Sequence, residues 1–531
     1  MIPRLLRARA RMAAATLVAV GAVAAAAPPA RAVSYVAISG SGSSWSAVAL
    51  DQWQQDLRPS GLVINYNPDG SAAGRGDYMA NQDDFAASDP PFRNGQDQLG
   101  GTGAEHPTQG YSYIPDTAGG TAFMYHIDVA GKLVTNLRLS GLTLMKIFTG
   151  AITNWDDPAI TRDYGAQLPS LPITPVIRSD GSGATFFFTR WMAHMFPAQW
   201  NAFCQKVKPG IRLPCGQTEF YPLFGNAKSE NGSNNVATYI TASYGNGSIG
   251  YDEYAYALNS HYPVVKLLNP AGYYVLPTAS NVAVALTQAQ INENPASPDF
   301  LQQNLDSVYT YTDPRSYPLS SYSYLIVPRA GSHQPTNFTA AKGRTLSTFV
   351  DYLLCSGQRE VAALGYSPLP LNLVKGGLLQ NSRIPGAVPG PSPTTLAGCS
   401  NPTFTGGQLT LLTTAPQPSP CDKLGEPLDC VVVNGKAATP GAAGTSPSAD
   451  ASPGAASPSG GAIPAGPVTG TSGPSGPQAP LAVTPVVVNV AASGPSKLVL
   501  SVLTALAIVC AVILPPALGG WLRRRRRQGL G

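Results

Sequence analysis

The sequence predicts an α/β fold for residues from about 33 to 374, and three observations support this prediction. Short apolar runs rich in β-branched residues, such as GLVINY, LPITPVI and SYSYLIV, are typical of buried strands. Longer stretches, such as LSGLTLMKIFTGAI and RTLSTFVDYLLCSG, carry apolar residues at helical spacing. The two patterns alternate along the chain, which is typical of an α/β domain.

Both ends of the 531-residue chain are interpreted as targeting segments. Residues 1–32 combine arginines, an Ala- and Val-rich stretch and a closing A-R-A site, which predicts a secretory signal peptide. Residues 498–518 carry no charge and would span about 31 Å as a helix, close to the thickness of a membrane core. The arginine run 523–527 places the tail, residues 519–531, in the cytoplasm. We therefore expect an extracytoplasmic protein that is anchored by one C-terminal transmembrane helix.

The segment before the predicted anchor, residues 435–496, consists almost wholly of Ala, Pro, Gly, Ser, Thr and Val. Such a composition contains too little apolar bulk to form a core, so it predicts a disordered linker.

The charge of the chain is explained by its two ends. Without the ten arginines of the signal peptide and the tail, 24 basic residues face 29 acidic ones, for a formal charge near −5. The basic excess therefore reflects targeting, and no nucleic-acid partner is expected. An anion would have to be held by a local site.

Seven cysteines fit an oxidising compartment, and one of them, Cys510, lies in the predicted membrane helix. The order of the other six suggests the pairs Cys204–Cys215, Cys355–Cys399 and Cys421–Cys430, although other pairings are possible. The last three of these cysteines lie in residues 386–434, which we interpret as an appendage of unassigned fold. No C-x-x-C pair occurs and the five histidines are scattered, so we expect neither a metal site nor a cofactor.

Three Gly- and Ser-rich loops each follow a short strand pattern and precede a helix pattern: ISGSGSSWSAVALDQW (38–53), NYNPDGSAAGRGDYM (65–79) and RSDGSGATFFFTRWM (178–192). The first N–H groups of a helix have no acceptor inside it and carry a partial positive charge. Three such starts together with Arg178 therefore predict a site for a small oxyanion. The alternative for the third stretch is an ordinary cap beside a surface arginine.

These stretches carry a family resemblance. ISGSGSSW, INYNPDGSAAG, DDFAASDPPF, IFTGAITNWDDPAI, IRSDGSGATFFFT and NGSIGYDEYAYA resemble, in order and spacing, the phosphate-binding proteins of bacterial ABC phosphate-uptake systems. The resemblance covers about two thirds of the chain, from residue 33 to 373. It implies a two-lobed periplasmic-binding-protein-like fold for residues 33–385, with a hinge of two crossing strands near GGTAFMYHI and PLSSYSYLIVP. Lobe 1 would comprise about 33–119 and 319–385, and lobe 2 about 120–318.

The resemblance also implies a set of phosphate ligands, which are Ser44, Trp45 (through its backbone), Ser71, Asp89, Arg178, Ser182, Gly183 and Ala184. The family usually has a threonine where this chain has Ala184, so one hydroxyl is missing; the neighbouring Thr185 is a possible substitute. The implied function is a monomeric receptor that binds inorganic phosphate and delivers it to an ABC permease.

Two alternatives remain open. A receptor or sensor for another oxyanion would explain the departure at Ala184. An extracellular phosphatase is less favoured, because Ser182 lacks a G-x-S-x-G elbow and no clustered His/Asp metal site is present in the sequence. We therefore expect no catalytic residues. The RGD at Arg75–Asp77 lies inside the second helix start, and we interpret it as a coincidence and not as an adhesion motif.

Overall fold

A computed structural model describes residues 35–331, 333 and 335–439. The predicted signal peptide (1–32), nearly all of the linker, the predicted membrane helix (498–518) and the tail lie outside the described residues. Within them, no helix is both long enough and apolar enough to cross a membrane.

Helices and short strands alternate along the described chain, as the two periodicities predict. The helices are α1 Ala47–Leu57, α2 Ser71–Met79, α3 Gly141–Phe148, α4 Pro158–Tyr164, α5 Gly183–Met195, α6 Pro197–Val207, α7 Gly232–Thr241, α8 Tyr254–Asn259, α9 Ala279–Leu286, α10 Asp306–Tyr309, α11 Ala340–Leu354, α12 Val361–Leu364, α13 Leu371–Asn381 and α14 Thr410–Thr414. The strands up to the hinge are β1 Ile38–Gly42, β2 Ile64–Asn67, β3 Phe85–Ser88 and β4 Tyr111–Tyr125. Those that follow are β5 Asp128–Val129, β6 Lys132–Leu133, β7 Arg138–Leu139, β8 Thr174–Arg178, β9 Lys228–Glu230, β10 Ser248–Glu253, β11 Lys266–Leu268, β12 Tyr274–Val275, β13 Gln290–Ile291, β14 Gln303–Asn304, β15 Ser320–Pro328, β16 Phe404–Thr405, β17 Gln408–Leu409, β18 Val431–Val433 and β19 Lys436–Ala438.

One eight-stranded sheet runs through both lobes in the order β2-β1-β3-β15-β4-β10-β8-β9. In lobe 1, β1 pairs in parallel with β2 and β3; in lobe 2, β8 pairs in parallel with β9 and β10. The long central strands β4 and β15 are antiparallel to each other and connect the two halves. They contain the segments GGTAFMY and SSYSYLIVP that the resemblance implies as the hinge.

The carboxyl ends of the parallel strands position the candidate site. In lobe 1, β1, β2 and β3 end just before Ser44, Ser71 and Asp89, and Ser71 is the first residue of α2. In lobe 2, β8 ends at Arg178 and leads into α5, while β9 leads into α7. Ligands of open α/β sheets bind at this edge, because the loops there gather side chains from several strands.

Helix α5, which begins at the candidate site, is packed against the sheet by its apolar face. Its apolar face buries Phe188, Trp191 and Met192, each at most 3% exposed. Phe188 packs edge-on against Phe123 of the hinge strand β4, with ring centroids 5.1 Å apart. The buried face therefore fixes the helix against the sheet and directs its N-terminus toward lobe 1.

The appendage is folded onto the domain. The disulfides Cys204–Cys215, Cys355–Cys399 and Cys421–Cys430 confirm the pairing suggested by the order of the cysteines. Its last element is the hairpin in which β18 pairs with β19 and which ends at Ala438.

Candidate functional site

The structure brings the predicted residues of the two lobes together. Helices α1, α2 and α5 begin where the three Gly- and Ser-rich loops predict, at Ala47, Ser71 and Gly183. Ser44 and Arg178 are in direct contact across the lobes, with Ser44 Oγ 2.9 Å from Arg178 Nη2. The two lobes therefore meet at the predicted site.

Asp89 is the acidic residue of this site and is 2% exposed. Its Oδ1 atom accepts hydrogen bonds from Ser43 Oγ at 2.8 Å and from Ser323 Oγ at 2.7 Å. Its Oδ2 atom accepts a longer bond from Ser71 Oγ, at 3.3 Å. Burial raises the pKa of Asp89, while the three hydroxyls and the charge of Arg178 oppose that rise.

The Oδ2 atom of Asp89 lies directly against lobe 2. A Cβ atom built on Gly183 would lie only 1.9 Å from it, so this approach requires a glycine. Gly183 opens helix α5, and its N–H belongs to the first turn, where amides have no acceptor inside the helix. A carboxylate acceptor and a helix N-terminus therefore face each other across the lobe boundary.

Arg178 is the cationic residue of the site. It is 2% exposed, so the alternative of a surface arginine is wrong. Its Nε donates to Asp180 Oδ1 at 2.8 Å, and its Nη2 contacts Asp180 Oδ2 as well. Burial alone would lower the pKa of Arg178, but the charge of Asp180 raises it, so the guanidinium stays protonated. Asp180 thus holds the guanidinium in position.

The remaining lobe 2 residues occupy the start of α5. Ser182 is the N-cap, and its Oγ accepts from the Thr185 N–H at 3.4 Å, while its own N–H donates to Glu219 O at 2.9 Å. Ala184 is fully buried, with 0% exposure. The Thr185 hydroxyl lies 2.7 Å from Tyr251 Oη, which also accepts from the Arg178 N–H at 3.2 Å. Thr185 therefore bonds to the core behind the site and does not replace the hydroxyl missing at Ala184.

The backbone of Trp45 is hydrogen-bonded within lobe 1. Its backbone N–H donates to Ser43 Oγ at 3.1 Å, and its C=O accepts from Tyr366 Oη at 2.7 Å. Because Ser43 in turn donates to Asp89, the Trp45 amide supports the carboxylate through Ser43 in this arrangement.

Ser233 is a site residue that the sequence reasoning missed. Its Oγ lies 2.9 Å from Ser44 Oγ and accepts from Arg178 Nη1 at 3.2 Å, and its N–H donates to Ser44 Oγ at 3.1 Å. It lies in the first turn of α7, after Gly232, whose N–H donates to Asp180 Oδ1 at 3.0 Å. Its local sequence, NGSNN, carries the same Gly–Ser signal as the other three helix starts and could have been found by it.

A buried ion-pair network lies beside the site. Arg75 of lobe 1 is 0% exposed and bonds to Glu105 Oε2 at 2.8 Å and to Glu219 Oε1 of lobe 2 at 2.7 Å. Arg93 also contacts both carboxylates, at 2.8 and 3.2 Å. Since the arginine of the RGD sequence is wholly enclosed by these partners, the interpretation of that motif as an adhesion site finds no support.

A second buried carboxyl group lies on the hinge strand β4. Asp116 is 0% exposed; its Oδ1 accepts from the Thr117 N–H at 2.6 Å, and its Oδ2 is buried with no bonding partner among the described residues. Burial, with a further contribution from the charge of Asp89, raises the pKa of Asp116 to about 8. The hinge therefore holds a carboxyl group that is largely protonated at neutral pH.

The chain is similar to several known proteins. A family model described as a PBP superfamily domain matches residues 23–356. Phosphate-binding protein PstS from Xylella fastidiosa strain Temecula1 is 32% identical over 352 residues, which cover 66% of this chain and 85% of that protein. The chain belongs to the phosphate-binding proteins of the PBP superfamily.

Other relatives are more distant. Phosphate-binding protein PstS 2 from Mycobacterium tuberculosis is 28% identical over 339 residues, covering 62% of this chain and 82% of that protein. Among solved structures, the phosphate-bound periplasmic protein PfluDING aligns with a TM-score of 0.48 at 19% identity, covering 70% of this chain and 100% of the other. A phosphate-binding protein from Stenotrophomonas maltophilia aligns with a TM-score of 0.45 at 16% identity, covering 69% and 99%.

Proposed function

We propose that this protein binds inorganic phosphate between its two lobes and delivers it to an ABC permease. The ligands would be Ser44, Trp45, Ser71, Asp89, Arg178, Ser182, Gly183 and Ala184, with Ser233 as an addition. Curated relatives named phosphate-binding protein PstS support the ligand, and the geometry of the cleft supports the residues.

The main support for the proposal is that Asp89 and the N-terminus of α5 face each other across the lobe boundary. A site for a fully deprotonated anion would place only donors around it, because a carboxylate repels such an anion. Phosphate still carries a proton at neutral pH, which it can donate to the Oδ2 atom of Asp89. Arg178 and the first-turn amides of Gly183 and Ala184 would meet the charged oxygens of the same ligand.

Calorimetric titration with phosphate, sulfate and a phosphate ester tests the proposal. We expect one phosphate per chain and a rise in melting temperature, since a ligand at 100 times its Kd stabilises the folded state by about 2.7 kcal/mol. Arg178→Ala should abolish most of the binding. A melting temperature that is indifferent to millimolar phosphate would exclude the proposed ligand.

Incubation with the same phosphate ester distinguishes a receptor from a phosphatase. A receptor holds phosphate without turnover, so incubation with the ester should release no free phosphate. Release that disappears in Ser182→Ala would instead identify Ser182 as a nucleophile.

Ala184 supports a second candidate, a receptor for a different oxyanion. One hydroxyl hydrogen bond contributes about 1 kcal/mol, so its loss changes affinity about fivefold and alters selectivity if other anions do not use that position. Thr185 does not restore it, because its hydroxyl is bonded to Tyr251. Tighter binding of another oxyanion than of phosphate in the same titration would favour this candidate.

Delivery to a permease requires the protein to remain outside the cell near the membrane. We propose that the protein is a monomer anchored by residues 498–518, as the sequence predicts. The full chain should fractionate with membranes, whereas a chain that ends before Lys497 should be secreted. Membrane retention of the shorter chain would show that the anchor lies elsewhere.

A further inference from the structure

A segment that follows the matched family domain contacts both lobes and forms a connection separate from the hinge strands. We call residues 386–430 the strap; the family model ends at residue 356, so the strap lies outside it. It begins shortly after α13 in lobe 1 and runs to the hairpin β18–β19.

The first part of the strap is fixed to lobe 1. Cys399 forms a disulfide with Cys355, which caps helix α11. Two residues later, Asn401 Nδ2 donates to Leu354 O at 3.0 Å. This end therefore has a covalent tie and a hydrogen bond to the same helix terminus.

The middle of the strap lies over helix α9, which itself packs against the hinge strands β4 and β15. Helix α14 of the strap lies against α9, and Leu409 is 5% exposed. Leu409 and Leu412 of the strap line a small cavity of about 40 Å³ together with Leu286 of α9 and Tyr322 of β15. The strap thus crosses from lobe 1 to lobe 2 over the hinge region.

The last part of the strap is fixed to lobe 2. Lys266 Nζ forms an ion pair with Asp422 Oδ1 at 2.6 Å. Arg138, 6% exposed, donates to two strap carbonyls, Cys421 O at 3.4 Å and Glu426 O at 2.5 Å. The Nε atom of Arg138 also donates to Asp163 O and Tyr164 O within lobe 2, so the strap carbonyls complete the hydrogen bonding of a buried guanidinium.

Backbone pairing adds to this contact. The Leu424 N–H donates to Gly272 O at 2.8 Å, and Lys423 forms a β-bridge with Tyr273. The strap therefore holds lobe 2 through side chains and main chain at once.

We propose that the strap restrains the separation of the two lobes and thereby slows their opening. All of its contacts on both lobes are present while the lobes touch at Ser44 and Ser233. A rotation about β4 and β15 would move the two attachment points relative to each other, so it would have to deform the segment between Asn401 and Asp422 or break the contacts at one end. One of the tests below, the measurement of phosphate release, rests on the proposed binding of phosphate. The hydrogen-exchange tests do not.

Hydrogen exchange of two amides that bridge the lobes reports opening without any ligand. The Ala72 N–H donates to Gly181 O at 3.0 Å, and the Ser233 N–H donates to Ser44 Oγ at 3.1 Å. The Trp155 N–H, which donates to Leu171 O within lobe 2 at 2.9 Å, is the internal reference.

The first variant reverses one charge at the lobe 2 end. Lys266→Glu should accelerate exchange of the Ala72 and Ser233 amides by about two- to fivefold, the range expected for the loss of one half-buried ion pair near the surface, with no change at Trp155. The matched control is the swap Lys266→Glu with Asp422→Lys, which restores the pair and should restore slow exchange.

The second variant releases the lobe 1 end. Cys355→Ser with Cys399→Ser should accelerate the same two amides, whereas Cys204→Ser with Cys215→Ser, which removes a disulfide within lobe 2, should not. Unchanged or slower exchange in both strap variants would overturn the proposal.

Phosphate release from the strap variants, followed by stopped flow, should accelerate by the same factor as the exchange of the two amides. A chain that exchanges as expected but binds no phosphate would contradict the proposed function and leave the strap confirmed.

Discussion

Replacing Asp89 with Asn should narrow the preference for phosphate over sulfate by much more than it weakens phosphate binding. In the structure the Oδ1 atom of Asp89 already accepts from two hydroxyls, so Oδ2, which faces Gly183, is the atom available to a ligand proton. Asn has nearly the same shape but no charge. The substitution therefore removes the repulsion without emptying the site.

The expected loss of preference can be calculated from the repulsion between the buried carboxylate of Asp89 and a second anion. Two like unit charges about 4 Å apart repel by about 4 kcal/mol at the effective dielectric constant of about 20 that suits protein sites. A proton shared by phosphate and Asp89 converts that repulsion into a hydrogen bond to a charged group of about 1.5–3 kcal/mol. Sulfate has no such proton. Allowing for local relaxation, we expect Asp89→Asn to reduce the preference by about 2–4 kcal/mol, or about 30- to 1,000-fold.

The assay is a pair of calorimetric titrations at pH 8, with phosphate and with sulfate, on the wild-type protein, Asp89→Asn and Arg178→Ala. Arg178→Ala should weaken both anions together, because a cation attracts either of them. A folded Asp89→Asn protein with the same phosphate-to-sulfate ratio as wild type would refute the reasoning. A pH series gives a second check: burial raises the pKa of Asp89, so lowering the pH neutralises it and should increase sulfate binding to wild type only.

Three further predictions concern neighbouring residues. Ser233→Ala should weaken phosphate binding about fivefold, as expected for one lost hydroxyl hydrogen bond, and titration measures it; an unchanged Kd would remove Ser233 from the site. Asp116 has a pKa raised to about 8, so the folded state holds its proton and loses stability as the pH rises from about 4 to 8. Asp116→Asn should therefore raise the melting temperature more at pH 8 than at pH 5, and an equal gain at both would contradict this. Glu219→Gln should lower the free energy of unfolding in urea by about 3 kcal/mol, because Arg75 loses a buried partner; a change below about 1 kcal/mol would show that Glu105 alone suffices.

The parts of the fold that depend on local chemistry could be predicted from the sequence. The starts of α1, α2 and α5 follow from Gly and Ser residues next to apolar periodicity, and cap preferences act within one turn. The disulfide pairs agree with the order of the cysteines, because each cysteine bonds to its neighbour in that order.

The contacts between distant segments could not be predicted in this way. Glu219 precedes no motif, and its place in the ion-pair network beside the site depends on Arg75, which lies 144 positions earlier in the chain. Ser233 carried a usable Gly–Ser signal, but only the parallel pairing of β9 with β8 brings α7 beside Arg178. The role of Thr185 also depended on the fold, since Tyr251 comes from a different strand.

The strap illustrates a second limit. Its docking onto Arg138 uses backbone carbonyls, which every residue possesses, so no side-chain pattern records the contact. Its Pro-, Gly- and Thr-rich composition is typical of loops, and loops that fold onto a domain share that composition with loops that do not.

The close approach at Gly183 has a practical consequence. With a Cβ only 1.9 Å from the Asp89 carboxylate, the touching lobes have no room for even one methyl group, whereas separated lobes would accept it. A side chain at this position would therefore act as a wedge that excludes one conformation and leaves the chemistry of Arg178 and Asp89 intact. A substitution at this single position would therefore allow the open form to be prepared alone. Its interaction with the proposed permease could then be tested.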